Sequence, residues 1–73
     1  MYTIIGYDKD NDVFEEYGDY EVLYNANEKA KELMSLLIED ELKRDNGEPI
    51  DWIEIYWNWN KNDEEMIWAS YEE

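Results

Sequence analysis

The residue types that perform nucleophilic or acid–base chemistry in most enzymes are scarce in this chain. It contains no histidine and no cysteine, and its serines are Ser35 and Ser70. Without histidine or cysteine, no Ser/His or Cys/His nucleophilic pair can be assembled. The glycines Gly6, Gly18 and Gly47 are isolated, so there is no glycine-rich phosphate loop. We therefore expect a protein that is not an enzyme and that needs no cofactor.

One stretch has the spacing of a metal site. Asp8, Asp10 and Asp12 match the first ligands of an EF-hand calcium loop, and Ca²⁺ prefers such oxygen ligands. However, Val13 stands where that loop needs glycine, and Asp19 stands where it prefers a bidentate glutamate. The flanking residues are also typical of strands. We expect a hairpin turn without a metal, and a calcium-responsive module is the third of our functional hypotheses.

Charge is the outlying property of the sequence. The 73 residues include 21 acidic and 6 basic side chains, for a net charge of −15. This charge repels nucleic acid and anionic membranes, so we expect neither as a direct partner. Acidic disordered chains contain few aromatic residues, whereas 16% of this chain is aromatic, so we expect it to fold as a single domain spanning residues 1–73. Its first residues, Met1 to Gly6, show no basic lead or apolar stretch of signal-peptide length, and no apolar run approaches the roughly 20 residues of a membrane span, so we expect a cytoplasmic location.

The uncompensated charge lies outside the middle of the chain. Residues 1–27 and residues 50–73 each carry seven acids and one base, whereas residues 28–49 carry seven acids and four bases. Alternate residues of a strand stand about 6.7 Å apart on one face, a spacing of the same order as that of successive phosphates in a nucleic-acid strand. Rows of carboxylates on strands could therefore imitate a phosphate track.

The predicted partner-binding residues are the acids of the expected hairpins. They are Asp10, Asp12, Glu15, Glu16, Asp19, Glu21, Glu54, Asp63, Glu64 and Glu65. The alternative is that these acids are solvated charges that protect exposed strand edges from pairing with other chains. A net charge of −15 exceeds what solubility requires of a small domain, which favours a functional role.

The first part of the chain predicts a β-hairpin. Residues 2–7 and residues 13–17 are rich in aromatic and β-branched side chains, and the polar residues between them form the turn. Gly18 breaks the second strand or introduces a bulge. Residues 20–24 continue that strand, form a short third strand or lead irregularly into a helix.

A helix is predicted over residues 26–45, where the apolar period changes to about 3.6. Its apolar stripe consists of Ala26, Ala30, Leu33, Met34, Leu37 and Ile38. Asn25 and Glu28 resemble a capping box, and Asn46-Gly47 predicts the helix end. The pairs Glu39–Lys43 and Asp40–Arg44 have the i, i+4 spacing of helical ion pairs.

A second hairpin follows, with strands over residues 50–59 and 64–71, and it contains all four tryptophans. The order ββαββ predicts an α+β fold, in which an antiparallel sheet of about four strands carries the helix on one face. Alternation directs one set of side chains, namely Ile53, Ile55, Trp57, Trp59, Ile67 and Ala69, towards the helix. It leaves Trp52, Glu54, Tyr56, Met66 and Trp68 on the other face. That second set is either a partner or dimer surface, or is covered by first-hairpin residues such as Tyr7 or Phe14.

In size and composition the chain resembles the phage-encoded anti-defence proteins of the DNA-mimic type, which include anti-CRISPR and anti-restriction proteins. The resemblance rests on a very short, cysteine-free, histidine-free and strongly acidic chain rich in tyrosine and tryptophan. It implies a location in the cytoplasm of a bacterial host. It also implies carboxylates that engage the arginines which otherwise read guanine bases, or the lysines of a nucleic-acid channel.

The leading hypothesis is an acidic, non-enzymatic inhibitor, active as a monomer or a homodimer. It would bind the basic nucleic-acid-binding surface of a CRISPR effector or a similar nuclease complex and block DNA binding. The alternative is an immunity protein or antitoxin that neutralises one cognate nuclease or toxin.

Overall fold

The protein folds into a four-stranded antiparallel sheet with one helix packed on it. The structure is a computed structural model that describes residues 1–44 and 46–70. The elements are β1 (Tyr2–Asp8), β2 (Val13–Tyr20), α1 (Leu23–Ile38), β3 (Trp52–Trp57) and β4 (Glu65–Ala69). The strand order in the sheet is β2-β1-β3-β4, and all neighbours are antiparallel. The predicted α+β fold in ββαββ order is confirmed. Tyr71, predicted at the end of the last strand, lies outside the described residues.

The two central strands, β1 and β3, are buried on both faces. Ile4 and Ile5 are consecutive and both are fully buried, as are Ile53 and Ile55 in β3. Consecutive strand residues point to opposite faces, so the burial of both Ile4 and Ile5 requires cover on each side of the sheet. The helix supplies this cover on one face, where Ala26, Ala30 and Leu33 pack against Ile4, Ile53 and Ile55 in one core cluster.

The helix begins earlier than predicted. Its first residue is Leu23 and its N-cap is Val22, whose carbonyl accepts the N–H groups of Asn25 and Ala26 at 3.1 and 3.3 Å. Asn25 is therefore not the cap, and no side chain caps this end. The early start places Leu23 against the core cluster, and this packing outweighs the capping preference of asparagine. Among the described residues, no helix has the length and apolarity that crossing a membrane requires.

The helix also ends earlier than residue 45, at Ile38. Asp40 adopts a left-handed conformation with φ of 58°, and the next N–H, that of Glu41, donates to the Leu36 carbonyl at 2.8 Å. This is a Schellman ending with aspartate in place of glycine. Gly47, predicted to end the helix, instead has a φ of 88° in a later turn between Arg44 and Glu48. The predicted helical pairs of Glu39–Lys43 and Asp40–Arg44 do not form, because the helix stops before them.

An ion pair ties the segment after the helix to the first hairpin. Arg44 Nη1 lies 3.1 Å from the carboxylate of Asp8, and Arg44 Nε lies 3.8 Å from that of Glu15. Leu42 and Ile50, on either side of Arg44, are buried in the core. The segment therefore packs as part of the domain through both apolar and charged contacts.

The first turn is organised by the same Asp8. Its buried carboxylate accepts the backbone N–H groups of Asp10 and Asn11 at 3.1 and 3.3 Å, and the Asn11 side-chain amide at 2.8 Å. Aspartate commonly binds the backbone two residues ahead in turns of this kind. The predicted hairpin turn is confirmed. Within residues 1–44 and 46–70, no group of three acids is arranged to hold a metal ion.

Asp8 makes the fold sensitive to acid. The Asn11 amide, with Arg44 and the turn N–H groups, holds the pKa of Asp8 below its ordinary value of 3.8, against the opposing effect of burial. A carboxyl group with a lowered folded-state pKa stabilises the fold above its unfolded pKa, and this contribution disappears as the pH falls through the folded pKa. Protonation of the exposed acids acts in the opposite direction, because it relieves repulsion within a chain of net charge −15.

We therefore expect the Tm to rise as the pH falls from about 7 to about 4.5, and to fall as the pH drops from about 3.8 towards the lower folded-state pKa of Asp8. The substitution Asp8→Asn should lower the Tm at neutral pH and remove much of the acid-induced fall. Thermal melts by circular dichroism across this range measure both effects. Asp10→Asn, in the same turn but exposed, is the matched control and should keep the fall. An equal acid response in the two variants would contradict the role assigned to Asp8.

Candidate partner-binding surface

The sheet face opposite the helix, here called the far face, is defined by the strand pairing. Residues directly opposite each other in antiparallel strands point to the same side. Tyr7 pairs with Phe14 and Trp52, and Ile5 pairs with Glu16 and Glu54. The far face thus consists of Thr3, Ile5, Tyr7, Phe14, Glu16, Asp19, Trp52, Glu54, Tyr56, Met66 and Ala69.

A bulge in β4 corrects the predicted faces of the second hairpin. Ile55 pairs with Trp68 but the next residue, Tyr56, pairs with Met66, so that Ile67 is an extra residue in β4. A bulge of this kind shifts the alternation of the strand. Trp68 therefore packs against the helix-side core and Ala69 faces the far side, the reverse of the prediction. Ile67, predicted to lie under the helix, is 40% exposed.

Five aromatic rings cover the far face. We call this group the aromatic arc, and its members in spatial order are Trp52, Tyr7, Phe14, Trp59 and Tyr56. The separations between successive ring centroids along the arc are 4.8, 4.7, 5.4 and 4.7 Å. These distances are typical of interacting aromatic pairs. The arc explains how Ile5 is fully buried without a second helix.

Trp59 reaches the arc because the chain reverses direction after β3. Asn58 and Asn60 both have left-handed backbones, with φ of 54° and 64°, a conformation that asparagine tolerates better than most residues. The reversal carries the Trp59 ring back over the sheet to contact Phe14 and Tyr56. The prediction that Trp59 points towards the helix is wrong, because it assumed an uninterrupted strand. The two asparagines were the available signal for the reversal.

A second bulge, in β2, brings two exposed acids onto the far face. Residues three apart on a regular strand point to opposite sides. Here Glu16 pairs with Ile5 and Gly18 pairs with Ile4, so Tyr17 is an extra residue in β2. Gly18, next to it, adopts a φ of 136°. Glu16 and Asp19 consequently lie opposite alternate residues of β1. Their positions along the strand differ by about 7 Å. The predicted break or bulge at Gly18 is thus a bulge, and β2 continues to Tyr20.

The structure separates the ten predicted partner-binding acids by exposure. Eight are exposed, namely Asp10, Asp12, Glu16, Asp19, Glu21, Asp63, Glu64 and Glu65. Glu15 is partly buried beside Arg44. Glu54 is only 6% exposed, and it accepts the Trp52 indole N–H at 2.7 Å. Glu54 therefore does not belong to an exposed row of acids, and Glu15 lies against a basic residue of its own chain.

The exposed acids lie at two ends of the sheet with a connection along β2. The first turn, with Asp10 and Asp12, follows the end of β1 at Asp8. The second turn, with Asp63 and Glu64, lies at the other end, where the Asn58 N–H donates to the Met1 carbonyl. Seven strand residues separate the two ends by about 20 Å. Glu16 and Asp19, on the edge strand, lie between them.

Several exposed acids are held in place by hydrogen bonds. The Tyr7 hydroxyl donates to Asp12, and the Thr3 hydroxyl donates to Asp19 at 2.6 Å. In the second turn, Asp63 accepts the Asn58 side-chain amide at 3.1 Å, and Glu64 accepts the Asn60 backbone N–H at 2.9 Å. These donors are neutral. The carboxylates are positioned without being neutralised.

The described basic residues are distributed differently. Lys29 and Lys31 lie on the helix and pair with Glu32 and Glu28 at 3.5 and 3.4 Å. On the hairpins, Lys9 lies in the first turn, and Lys61 of the second turn lines a cleft that also contains Glu16 and Asp19. The helix α1 itself, with two acids and two bases, is therefore balanced in charge, whereas the sheet and its turns are strongly acidic.

Comparisons of the chain with protein-family models, curated proteins and solved structures found no match. The surface carries three kinds of group. It offers carboxylates, aromatic rings and hydrogen-bonded turns, and these groups suit binding to a basic protein surface.

Removing the Trp59 side chain should destabilise the domain, because its ring packs against Phe14 and Tyr56 on the sheet face to which the fully buried Ile5 points. We expect Trp59→Ala to lower the free energy of unfolding by about 2–4 kcal/mol, at the lower part of the range for buried aromatic truncations since Trp59 is partly exposed. Urea denaturation followed by circular dichroism measures the change. Tyr24→Ala is the control. Tyr24 is 67% exposed on the helix, and its loss should change stability by less than about 0.5 kcal/mol. Equal effects would show that Trp59 does not cover the core.

Proposed function

We propose that this protein is a non-enzymatic, acidic inhibitor that binds the basic nucleic-acid-binding surface of a CRISPR effector or a similar nuclease complex and blocks its access to DNA. The observation that carries the proposal is the separation of charge. Exposed acids occupy the two turns and the far-face edge of the sheet, whereas Lys29 and Lys31 pair with acids of the helix and Arg44 pairs with Asp8 and Glu15.

The spacing of the acids supports imitation of a nucleic-acid backbone. The bulge in β2 brings Glu16 and Asp19 to one face, about 7 Å apart along the strand. Arginine and lysine side chains that normally contact phosphates accept carboxylates in the same way, through charge-assisted hydrogen bonds. A track of such acids would compete with DNA for these side chains.

Preorganisation of the acids supports tight binding. Asp12, Asp19, Asp63 and Glu64 each accept a hydrogen bond from a neutral donor of the same domain. A carboxylate has about four lone-pair positions, so a single such bond leaves capacity for a partner's guanidinium or ammonium group. Side chains already fixed in position lose less conformational entropy on binding.

The aromatic arc supplies the other component of a protein–protein contact. Tyrosine and tryptophan are enriched at interface cores because they bury much area at a small entropic cost. Phe14, in the arc, is 45% exposed. Acids around a partly exposed aromatic surface combine electrostatic steering with apolar contact area.

Neutralising the exposed acids of the far face, or those of the second turn and the start of β4, should weaken inhibition. We expect Glu16→Gln with Asp19→Asn, and separately Asp63→Asn with Glu64→Gln and Glu65→Gln, to weaken binding to the target about tenfold or more. Both variants should remain as stable as the parent or more so, because each relieves repulsion. The measurements are the stoichiometric inhibition of DNA binding by CRISPR effectors, and thermal melts of the free variants.

The matched control is Glu28→Gln with Glu32→Gln on the helix, which changes the net charge as much as the Glu16/Asp19 variant. It should leave inhibition nearly unchanged. Equal weakening by the helix and sheet variants would mean that net charge alone acts, and would contradict a defined mimic surface. Protection only against a nuclease or toxin encoded beside this protein, with no effect on any effector's DNA binding, would favour the immunity-protein alternative.

Salt should act oppositely on the free protein and on its complex. Raising the ionic strength from about 0.05 to about 0.5 M shortens the Debye length from roughly 14 to roughly 4 Å. This screens repulsion among the exposed acids and should raise the Tm of the free protein, while the dissociation constant of the complex increases. Melts and binding titrations at matched salt concentrations test this expectation. A complex whose affinity is independent of salt would contradict an electrostatic mode of inhibition.

A further inference from the structure

A shallow concavity on the far face combines aromatic walls with a carboxylate. Its lining residues are Tyr7, Phe14, Trp52, Glu54 and Tyr56, and its volume is about 290 Å³. Glu54 is only 6% exposed, whereas Phe14 is 45% exposed. The carboxylate therefore lies deep in the concavity and the Phe14 ring lies at its rim. We call these five residues the aromatic cage.

The buried carboxylate of Glu54 has no positively charged partner among the described residues. Burying a carboxylate is costly unless the group is paired or hydrogen-bonded. Glu54 accepts the indole N–H of Trp52 at 2.7 Å, which uses one of its roughly four lone-pair positions. None of the ion pairs among the described residues includes Glu54. The surrounding ring faces are also electronegative, so that the cage attracts positive charge from two sources.

Tyr7 keeps a neutral ring in this setting. Its hydrogen bond to Asp12, together with burial and the negative charges of Asp12, Asp8 and Glu54, raises the pKa of the Tyr7 hydroxyl above 10.0. The same hydrogen bond to Asp12 fixes the position of the Tyr7 ring, whose face can contribute to cation–π contact.

We infer that the aromatic cage receives the guanidinium group of an arginine on the protein partner. The inference rests on the proposed function for the basic character of that partner. Arginine fits better than lysine because its planar, weakly hydrated group stacks on aromatic rings and pairs with a carboxylate at the same time. A second copy of this chain or a nucleic-acid base is a poor occupant, since the net charge of −15 repels both.

The test uses short glycine peptides that contain one central residue: arginine, lysine or citrulline. Citrulline matches arginine in shape but carries no charge. NMR spectra of the intact protein report the indole N–H of each tryptophan. We expect the arginine peptide to shift the Trp52 signal while the Trp68 signal, on the helix side, stays in place. The side-chain protons of the peptide's arginine should shift upfield through the ring currents, and affinity should decrease in the order arginine, lysine, citrulline.

Two substitutions test the cage directly. Glu54→Gln keeps the size of the side chain and an acceptor for Trp52, and should weaken the arginine peptide about tenfold. Phe14→Leu keeps apolar bulk at the rim but removes the aromatic face, and should weaken it about threefold to fivefold. Glu32→Gln, on the exposed face of the helix, makes the same charge change as Glu54→Gln and should have little effect. The spectra themselves show whether each variant is folded, and Phe14→Leu tests the cage even if Glu54→Gln does not fold.

Other outcomes would overturn the inference. The inference is wrong if the arginine and citrulline peptides bind with equal affinity, if the lysine peptide binds more tightly than the arginine peptide, or if the Trp52 signal does not shift. It is also wrong if the Trp52 signal moves when the protein alone is diluted, because a second copy of the chain would then occupy this face. The results remain separate from those for the proposed function. Peptide binding without inhibition of any DNA-binding target would support the cage and contradict the inhibitor proposal. Inhibition that survives in Glu54→Gln and Phe14→Leu, without peptide binding, would do the reverse.

Discussion

The burial of two consecutive residues in the central strand, Ile4 and Ile5, is the constraint on which the rest of the structure depends. Both are fully buried, and because they point to opposite faces of the sheet, the single helix can cover only one of them. The helix covers Ile4 through its alanine and leucine stripe. The far face has no second helix, so aromatic side chains from three chain segments cover Ile5 instead. This requirement accounts for five of the twelve aromatic residues of the chain.

A second constraint is electrostatic, because a chain with a net charge of −15 repels itself when it becomes compact. The fold places one cation, Arg44, against the buried carboxylate of Asp8 and the partly buried one of Glu15, and so joins the first hairpin to the segment after the helix. Lys29 and Lys31 balance acids on the helix surface. Few described cations are then left near the acids of the sheet edge and turns. Because these three basic residues already pair with acids of the same chain, they do not neutralise the exposed acids of the sheet and its turns, which stay strongly acidic.

Sequence reasoning reached the architecture but missed local irregularities. The periods of two and 3.6, together with the polar turns, were enough to predict ββαββ, and Ala26, Ala30 and Leu33 lie on the predicted buried stripe. The helix ends were wrong because tertiary packing of Leu23 and a left-handed Asp40 outweighed the signals at Asn25 and Gly47. The faces of Trp68, Ala69 and Trp59 were wrong for another reason. A bulge or a left-handed residue reverses every side chain after it, and simple alternation cannot locate either one.

These irregularities are also what form the candidate surface. The bulge at Tyr17 puts Glu16 and Asp19 on the same face, and the reversal at Asn58 and Asn60 returns Trp59 to the sheet. An ideal sheet with the same sequence would direct one of the two acids to the helix side and Trp59 away from Ile5. The rings of the arc serve both stability and the cage, so changes to them affect folding and binding together. The exposed acids contribute to the proposed binding while opposing stability through repulsion, so a requirement for stability alone does not account for their placement at the turns and along the sheet edge.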